Sequence, residues 1–208
     1  MQRFSPDKRK KRMYNNLQRY IKDRSYHLIL EGADGTGKST LARAIYDEAS
    51  EHMPVLILKN PNSPNLYKQM HDGALTSFQI AMSTLSDALE LHIKHYKELL
   101  DGYLIVQDRS AIVSGHVYNM ASMSLTEKII YSESIQRWKQ ILYENAHVVI
   151  LDNKPMREEH NVFSKYTAGY KELIINRHLY QKELGLYTCV GTPKDDAKTV
   201  LGLLEMIT

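Results

Sequence analysis

Two short stretches carry side chains of the types and spacing needed to handle phosphate. The first, LILEGADGTGKST from Leu28 to Thr40, runs from apolar residues into a glycine-rich loop with a lysine near its end. Gly32, four residues, then Gly37, Lys38 and Ser39 satisfy the pattern G-x-x-x-x-G-K-[ST]. Glycines admit backbone angles that turn successive N–H groups into one concavity, and a helix starting there adds the positive end of its dipole. A polyphosphate is then held mostly by backbone, with Lys38 reaching its outer phosphates and the Ser39 hydroxyl serving as a ligand for Mg²⁺. The expected nucleotide-binding residues are Gly32, Asp34, Gly35, Thr36, Gly37, Lys38, Ser39 and Thr40.

The second stretch is LIVQDRS, an apolar run ending in Asp108 and Arg109. If that strand lies beside the one feeding the glycine loop, Asp108 faces the metal and Arg109 faces the group that receives a phosphoryl. Otherwise the two are an ion pair at a strand end. A phosphate loop alone names no enzyme, because switches, motors and kinases share it.

These residues need a scaffold. Short apolar runs predict strands at 26–30, 55–58, 104–107, 147–151 and 186–190, as expected of parallel strands covered on both faces. Helical patterns fall between them. The segment after the loop turns Leu41, Ile45 and Ala49 inward, and Phe78, Met82, Leu85, Leu89, Ile93, Tyr96 and Leu100 form one stripe, mainly core, along a long helix. A further helix over about 125–145 carries Trp138, whose expected role is packing. The alternation predicts an α/β fold: a five-stranded parallel sheet, helices on both faces, and ligands at the carboxyl ends of the strands.

At 208 residues and 43% apolar content, the chain can bury a core of its own. No apolar run is long enough to span a bilayer, and the N-terminus is basic where a secretory signal is apolar, so the expected location is cytoplasmic with no membrane partner. Cys189 is the single cysteine and reads as a buried, inert thiol. His92 and His95 share a helix face without the spacing of a metal site, which reads as a solvated face. The net charge of +3 is uneven: residues 1–24 hold nine Lys or Arg against Asp7 and Asp23, leaving the body slightly acidic. That segment reads either as a nucleic-acid contact driven by counterion release or as a solvated basic arm or helix on the domain. The expected organisation is a basic arm at 1–25 followed by one domain at 26–208.

The glycine loop, with its acidic residue before the second glycine, resembles the start of thymidylate kinases. IVQDRSAIVSGHVYN is similar to that family's strand followed by Asp-Arg, a serine and an aromatic residue. VLILKNPNSPN resembles its second strand, VVILDNKP its fourth strand before a lid, and INRHLYQKELGLY the helix after the lid. The resemblance runs from about Tyr26 onward and implies a three-layer P-loop nucleoside/nucleotide kinase fold, ATP and Mg²⁺, small nucleotide substrates and a homodimer. By resemblance, Asp34 contacts the deoxyribose 3′-hydroxyl of the acceptor, Asp108 sits at the metal and the transferred phosphoryl, and Arg109 grips the acceptor phosphate. Lys59 stands where the family has arginine and offers a point charge in place of a bidentate fork. Residues 153–165 form the lid, with Arg157 the cation that closes over the phosphates and Arg177 a further candidate. Thr192 and Pro193 border adenine. Phe78 either stacks on the acceptor base or begins the core stripe. The candidate catalytic residues are thus Lys38, Asp108, Arg109 and Arg157.

Two departures bear on the acceptor. The stretch FQIAMSTLSDALELH lacks the family's arginine, and Asn60 replaces the glutamate of its second-strand motif. A monophosphate presents an oxygen already anionic and needs cations; a hydroxyl must lose a proton and needs a base. Deoxynucleoside kinases, also resembled through Asp-Arg-Ser, carry that base at the end of the second strand, where this chain has Lys59, Asn60 and Pro61. A deoxynucleoside monophosphate is therefore the favoured acceptor, and the resemblance to thymidylate kinases implies that it is dTMP-like. The alternative is a hydroxyl on a deoxynucleoside or within DNA, with Glu31 or Asp108 as base and the basic segment for docking. A nucleotide-dependent binding protein without transfer chemistry would have less use for Asp34, Asp108 and Arg109.

Overall fold

Runs of Val, Ile and Leu bounded by turns produce five short strands: Tyr26–Gly32 (β1), Val55–Lys59 (β2), Leu104–Asp108 (β3), Ala146–Leu151 (β4) and Glu183–Tyr187 (β5). They pair in parallel in the order β2-β3-β1-β4-β5, so β1 lies between β3 and β4. The computed structural model describes residues 26–33, 35–111, 122–143, 146–151, 183–187 and 191–205. The basic arm, Asp34, the lid with Arg157, Arg177 and Cys189 lie outside these residues.

The helices are Lys38–Ala49 (α1), Pro64–His71 (α2), Ser77–Lys94 (α3), Tyr96–Leu100 (α4), Leu125–Tyr143 (α5) and Pro193–Glu205 (α6). Side chains alternate along a strand, which gives each buried strand two faces to cover. Leu28, Leu30, Leu104 and Val106 meet Leu41 and Ile45 of α1 and Val200, Leu201 and Leu204 of α6. On the other face, Ile105 and Leu58 meet Leu91 of α3, while Leu85 and Ala88 pack with Leu142 of α5. The result is three layers.

The expected long helix is interrupted. α3 begins with a reciprocal capping box between Thr76 and Gln79 and ends at Lys94, where His95 leaves helical angles at φ −107° and ψ 25°. On either side of that break the stripe no longer faces the sheet: Ile93, in the last turn of α3, and Tyr96, at the start of α4, are 74% and 56% exposed. The buried face of α3 is Ala81, Thr84, Leu85, Asp87, Ala88 and Leu91. Trp138 is likewise largely outside the core at 37% exposure. The fifth strand begins at Glu183, three residues before the expected start, because Glu183 already pairs with Val148 ahead of a register shift in β4.

Asp87 ties α3 to the loop after β2. Its Oδ2 accepts from Asn60 Nδ2 at 3.1 Å and from the Asn62 N–H at 2.6 Å, and its Oδ1 accepts from the Ser63 N–H at 2.9 Å. Asp87→Ala strands these donors and is expected to cost about 3 kcal/mol. The check is a lowered urea midpoint at unchanged slope.

Candidate functional site

Parallel pairing brings the carboxyl ends of three strands together, since Leu30 and Lys59 both lie opposite Asp108. The glycine loop leaves β1 at this edge. Gly32, at φ 148°, lies against β4: a Cβ there would sit 2.9 Å from the Leu151 carbonyl oxygen and 2.9 Å from Thr36 Oγ1. Gly35 at φ 76° and Gly37 at φ 92° turn the chain through left-handed angles into α1. Gly37 is the N-cap of α1 and no side chain caps that end. The first-turn N–H groups therefore present the positive end of the helix to the loop. Thr36 Oγ1 donates to the Ala33 carbonyl at 2.8 Å. Lys38 is buried on the first turn of α1, and its Nζ donates to the Gly32 and Ala33 carbonyls at 2.9 and 2.7 Å. Thr40 is exposed on the same turn.

Across the loop, Ser39 Oγ donates to Asp108 Oδ2 at 2.5 Å. Asp108 is buried, and its Oδ1 has no hydrogen-bond partner among the described residues. A hydroxyl and a carboxylate with one buried oxygen left over form the hard-oxygen donor set that suits Mg²⁺. The residues present therefore fit that ion.

Arg109 follows at φ 72°, a left-handed conformation uncommon for a non-glycine residue. Its N–H donates to the Leu30 carbonyl at 3.0 Å and its carbonyl accepts from Gln107 Nε2 at 2.7 Å. The next N–H, that of Ser110, donates to Glu31 Oε1 at 2.6 Å. Glu31 is fully buried, and burial pushes its carboxyl up to about 7 against the pull of Arg109, Ser110 and Lys38. Unfolded, the group titrates near 4.5, so its contribution to stability is complete below that value and is lost as pH rises through about 7. Relative to Glu31→Gln, the wild type is expected to lose about 2–3 kcal/mol between pH 4.5 and 8, read from urea midpoints. A pH-independent difference would contradict this.

Lys59 is exposed, with its Nζ 5.5 Å from the centre of the Tyr67 ring. The Asn60 N–H donates to the Asp108 carbonyl at 3.1 Å. Phe78 is half-buried and packs with Ala81, Met82, Met123, Tyr131 and Ile135, which joins it to a core cluster. Thr192 Oγ1 pairs with Asp195 Oδ2 at 2.7 Å at the start of α6. The structure thus gathers Gly32, Thr36, Gly37, Lys38, Ser39, Asp108 and Arg109 at one edge of the sheet. It adds residues not anticipated there: Asp87, Gln107 and His27, whose Nε2 lies 2.8 Å from Gln107 Oε1. For His27 and Gln107 the signal in the sequence is a polar letter inside an otherwise apolar strand, in YHLILEG and LIVQD.

Among the described residues, no three His, Cys, Asp or Glu side chains gather as a metal site, and no helix is long and apolar enough to cross a membrane. A family model described as a protein of unknown function, DUF815, matches residues 4–115, a span that includes the glycine loop, Asp108 and Arg109. No curated protein matches the chain. Among solved structures, thymidylate kinase from Candida albicans is similar at a TM-score of 0.67 and 18% identity, over 88% of this chain and 92% of that one. At that identity the likeness is one of fold.

Proposed function

The chain belongs to the DUF815 family of proteins of unknown function, and we propose that it is a nucleotide kinase that moves the γ-phosphoryl of ATP to a deoxynucleoside monophosphate, dTMP-like. The observation that carries this is Asp108: it is buried at the lip of the glycine loop, with one carboxylate oxygen on Ser39, the other without a partner among the described residues, and Arg109 next in the chain. The fold shared with a thymidylate kinase supports the same reading.

The loop N–H groups and Lys38 hold the donor phosphates and balance the charge that develops on the transferred group. Ser39 and Asp108 would hold Mg²⁺, which when bound would draw charge from the phosphate oxygens. Arg109, with Lys59 on the neighbouring strand, draws the acceptor phosphate against the repulsion between two polyanions. By the resemblance to thymidylate kinases, Asp34 would serve the acceptor sugar and Arg157 the phosphates; both lie outside the described residues.

A hydroxyl acceptor would need a free base. Glu31 is fully buried with Ser110 donating to it, and the end of the second strand carries the cation Lys59 in place of a carboxylate, which favours the monophosphate. The test is one panel assay with MgATP, four deoxynucleosides, four deoxynucleoside monophosphates and duplex DNA. Label transferred to a monophosphate, dTMP foremost, is the expected result. Label on a deoxynucleoside or on DNA alone would replace this reading with the hydroxyl kinase.

A further inference from the structure

Behind Arg109 lies a file of polar groups that packing does not require. His27 and Gln107 are buried on the sheet face beneath α3, lining a small cavity otherwise walled mainly by Leu58, Ala88, Leu91 and Leu142. Aliphatic residues would fill that place without the desolvation of an amide and an imidazole. The hydrogen bonds show what the polar pair accomplishes. The Arg109 carbonyl can only accept, so the Gln107 amide must turn its Nε2 toward it, at 2.7 Å. Gln107 Oε1 then faces His27 Nε2 at 2.8 Å, and His27 must carry its proton on that nitrogen. The order is His27 N–H to Gln107 oxygen, then Gln107 N–H to Arg109 carbonyl.

A second support comes from the other side. Glu31 Oε1 takes the Ser110 N–H at 2.6 Å, and the Leu30 carbonyl takes the N–H of Arg109 itself. Both peptide groups of Arg109 are thereby pinned by side chains or backbone of β1 and β3. The residue so pinned is the one non-glycine residue with positive φ among the described residues, at 72°. Such angles persist where the surroundings over-determine them.

Resting on the assignment of Arg109 to the acceptor phosphate, we propose that Gln107, backed by His27, and Glu31 are positioning residues that hold Arg109 in its left-handed conformation and so set where its guanidinium meets that phosphate. None of the three touches substrate. Each acts through Arg109, and a displacement of about an ångström at such a group is enough to cost catalysis heavily.

The experiment is a double-mutant cycle on the full chain with MgATP and dTMP, joined to amide hydrogen exchange at Ser110. Gln107→Leu is expected to raise KM for dTMP by about tenfold or more while leaving KM for ATP unchanged. In an Arg109→Ala background it should add nothing further, because the side chain it positions is gone. Glu31→Leu should behave like Gln107→Leu, and Glu31→Gln, which keeps an acceptor for the Ser110 N–H, should restore much of the loss. Exchange at Ser110 should quicken in Gln107→Leu and in Glu31→Leu, and this readout needs no turnover. If Arg109→Ala leaves dTMP kinetics untouched, the assignment of Arg109 itself fails and takes this proposal with it. If Arg109→Ala impairs dTMP use but Gln107→Leu does not, or multiplies with it, only the positioning role is overturned. Unchanged Ser110 exchange in both leucine variants overturns it too, even in a variant too unstable to assay for turnover.

Discussion

Lys38→Ala is expected to lower turnover by about 10²–10³-fold, the loss found when one preorganised donor is removed from a developing charge. The expectation rests on where the ammonium sits. Lys38 is buried, and its Nζ is held by the Gly32 and Ala33 carbonyls, the two residues that lead from β1 into the loop. Those carbonyls keep the charge at the mouth of the cradle, so a phosphate arriving there gains a cation that is already in place. Lys38→Arg should recover little, because a planar fork does not replace a compact ammonium in a space bounded by two carbonyls. Lys38→Met keeps the stem and serves as the packing control: if it folds with a melting temperature close to wild type and is still inactive, the loss is one of charge. Rapid transfer by Lys38→Ala would exclude the loop from the chemistry.

Asp108→Asn is expected to lower turnover by about 10²-fold or more and to raise the Mg²⁺ concentration needed for half-maximal activity. The substitution preserves shape and retains an oxygen able to accept from Ser39 Oγ, which lies 2.5 Å from Oδ2 in the wild type. What it removes is the negative charge on a buried group whose Oδ1 has no partner among the described residues. Ser39→Ala should shift the Mg²⁺ dependence in the same direction but by less, since a neutral ligand is lost in place of a charged one. An Mg²⁺ response identical to wild type in Asp108→Asn would separate Asp108 from the metal.

The glycine loop could be read from the sequence because its pattern is local: six consecutive residues, Gly32 to Gly37, bend one stretch of backbone, and Lys38 and Ser39 follow directly. The pairing of Leu30 with Asp108 could not, because parallel neighbours are joined by long crossovers and carry no short-range signature. Only the sheet order decides whether Asp108 faces the loop or ends a remote strand. Phe78 shows the same division: its spacing fits both a core stripe and a stacking platform, and its neighbours Met123 and Tyr131 come from a segment more than forty residues away. Asp87 looks like a solvent-facing residue on α3 until the loop after β2 folds over it. The end of the α3 stripe is misleading because apolar letters continue through Ile93 and Tyr96 although the buried face of the helix ends at Leu91. His27 and Gln107 were visible as polar letters inside apolar strands, but their partner is a backbone carbonyl, which no letter encodes.

Calorimetric titration of the full chain with a non-hydrolysable ATP analogue, with and without Mg²⁺, tests the phosphate seat most directly. One saturable site is expected in the wild type, tightened by Mg²⁺, with that tightening lost in Asp108→Asn and binding itself strongly weakened in Lys38→Ala. Binding that ignores Mg²⁺ and both substitutions, or no binding at all, would contradict the account.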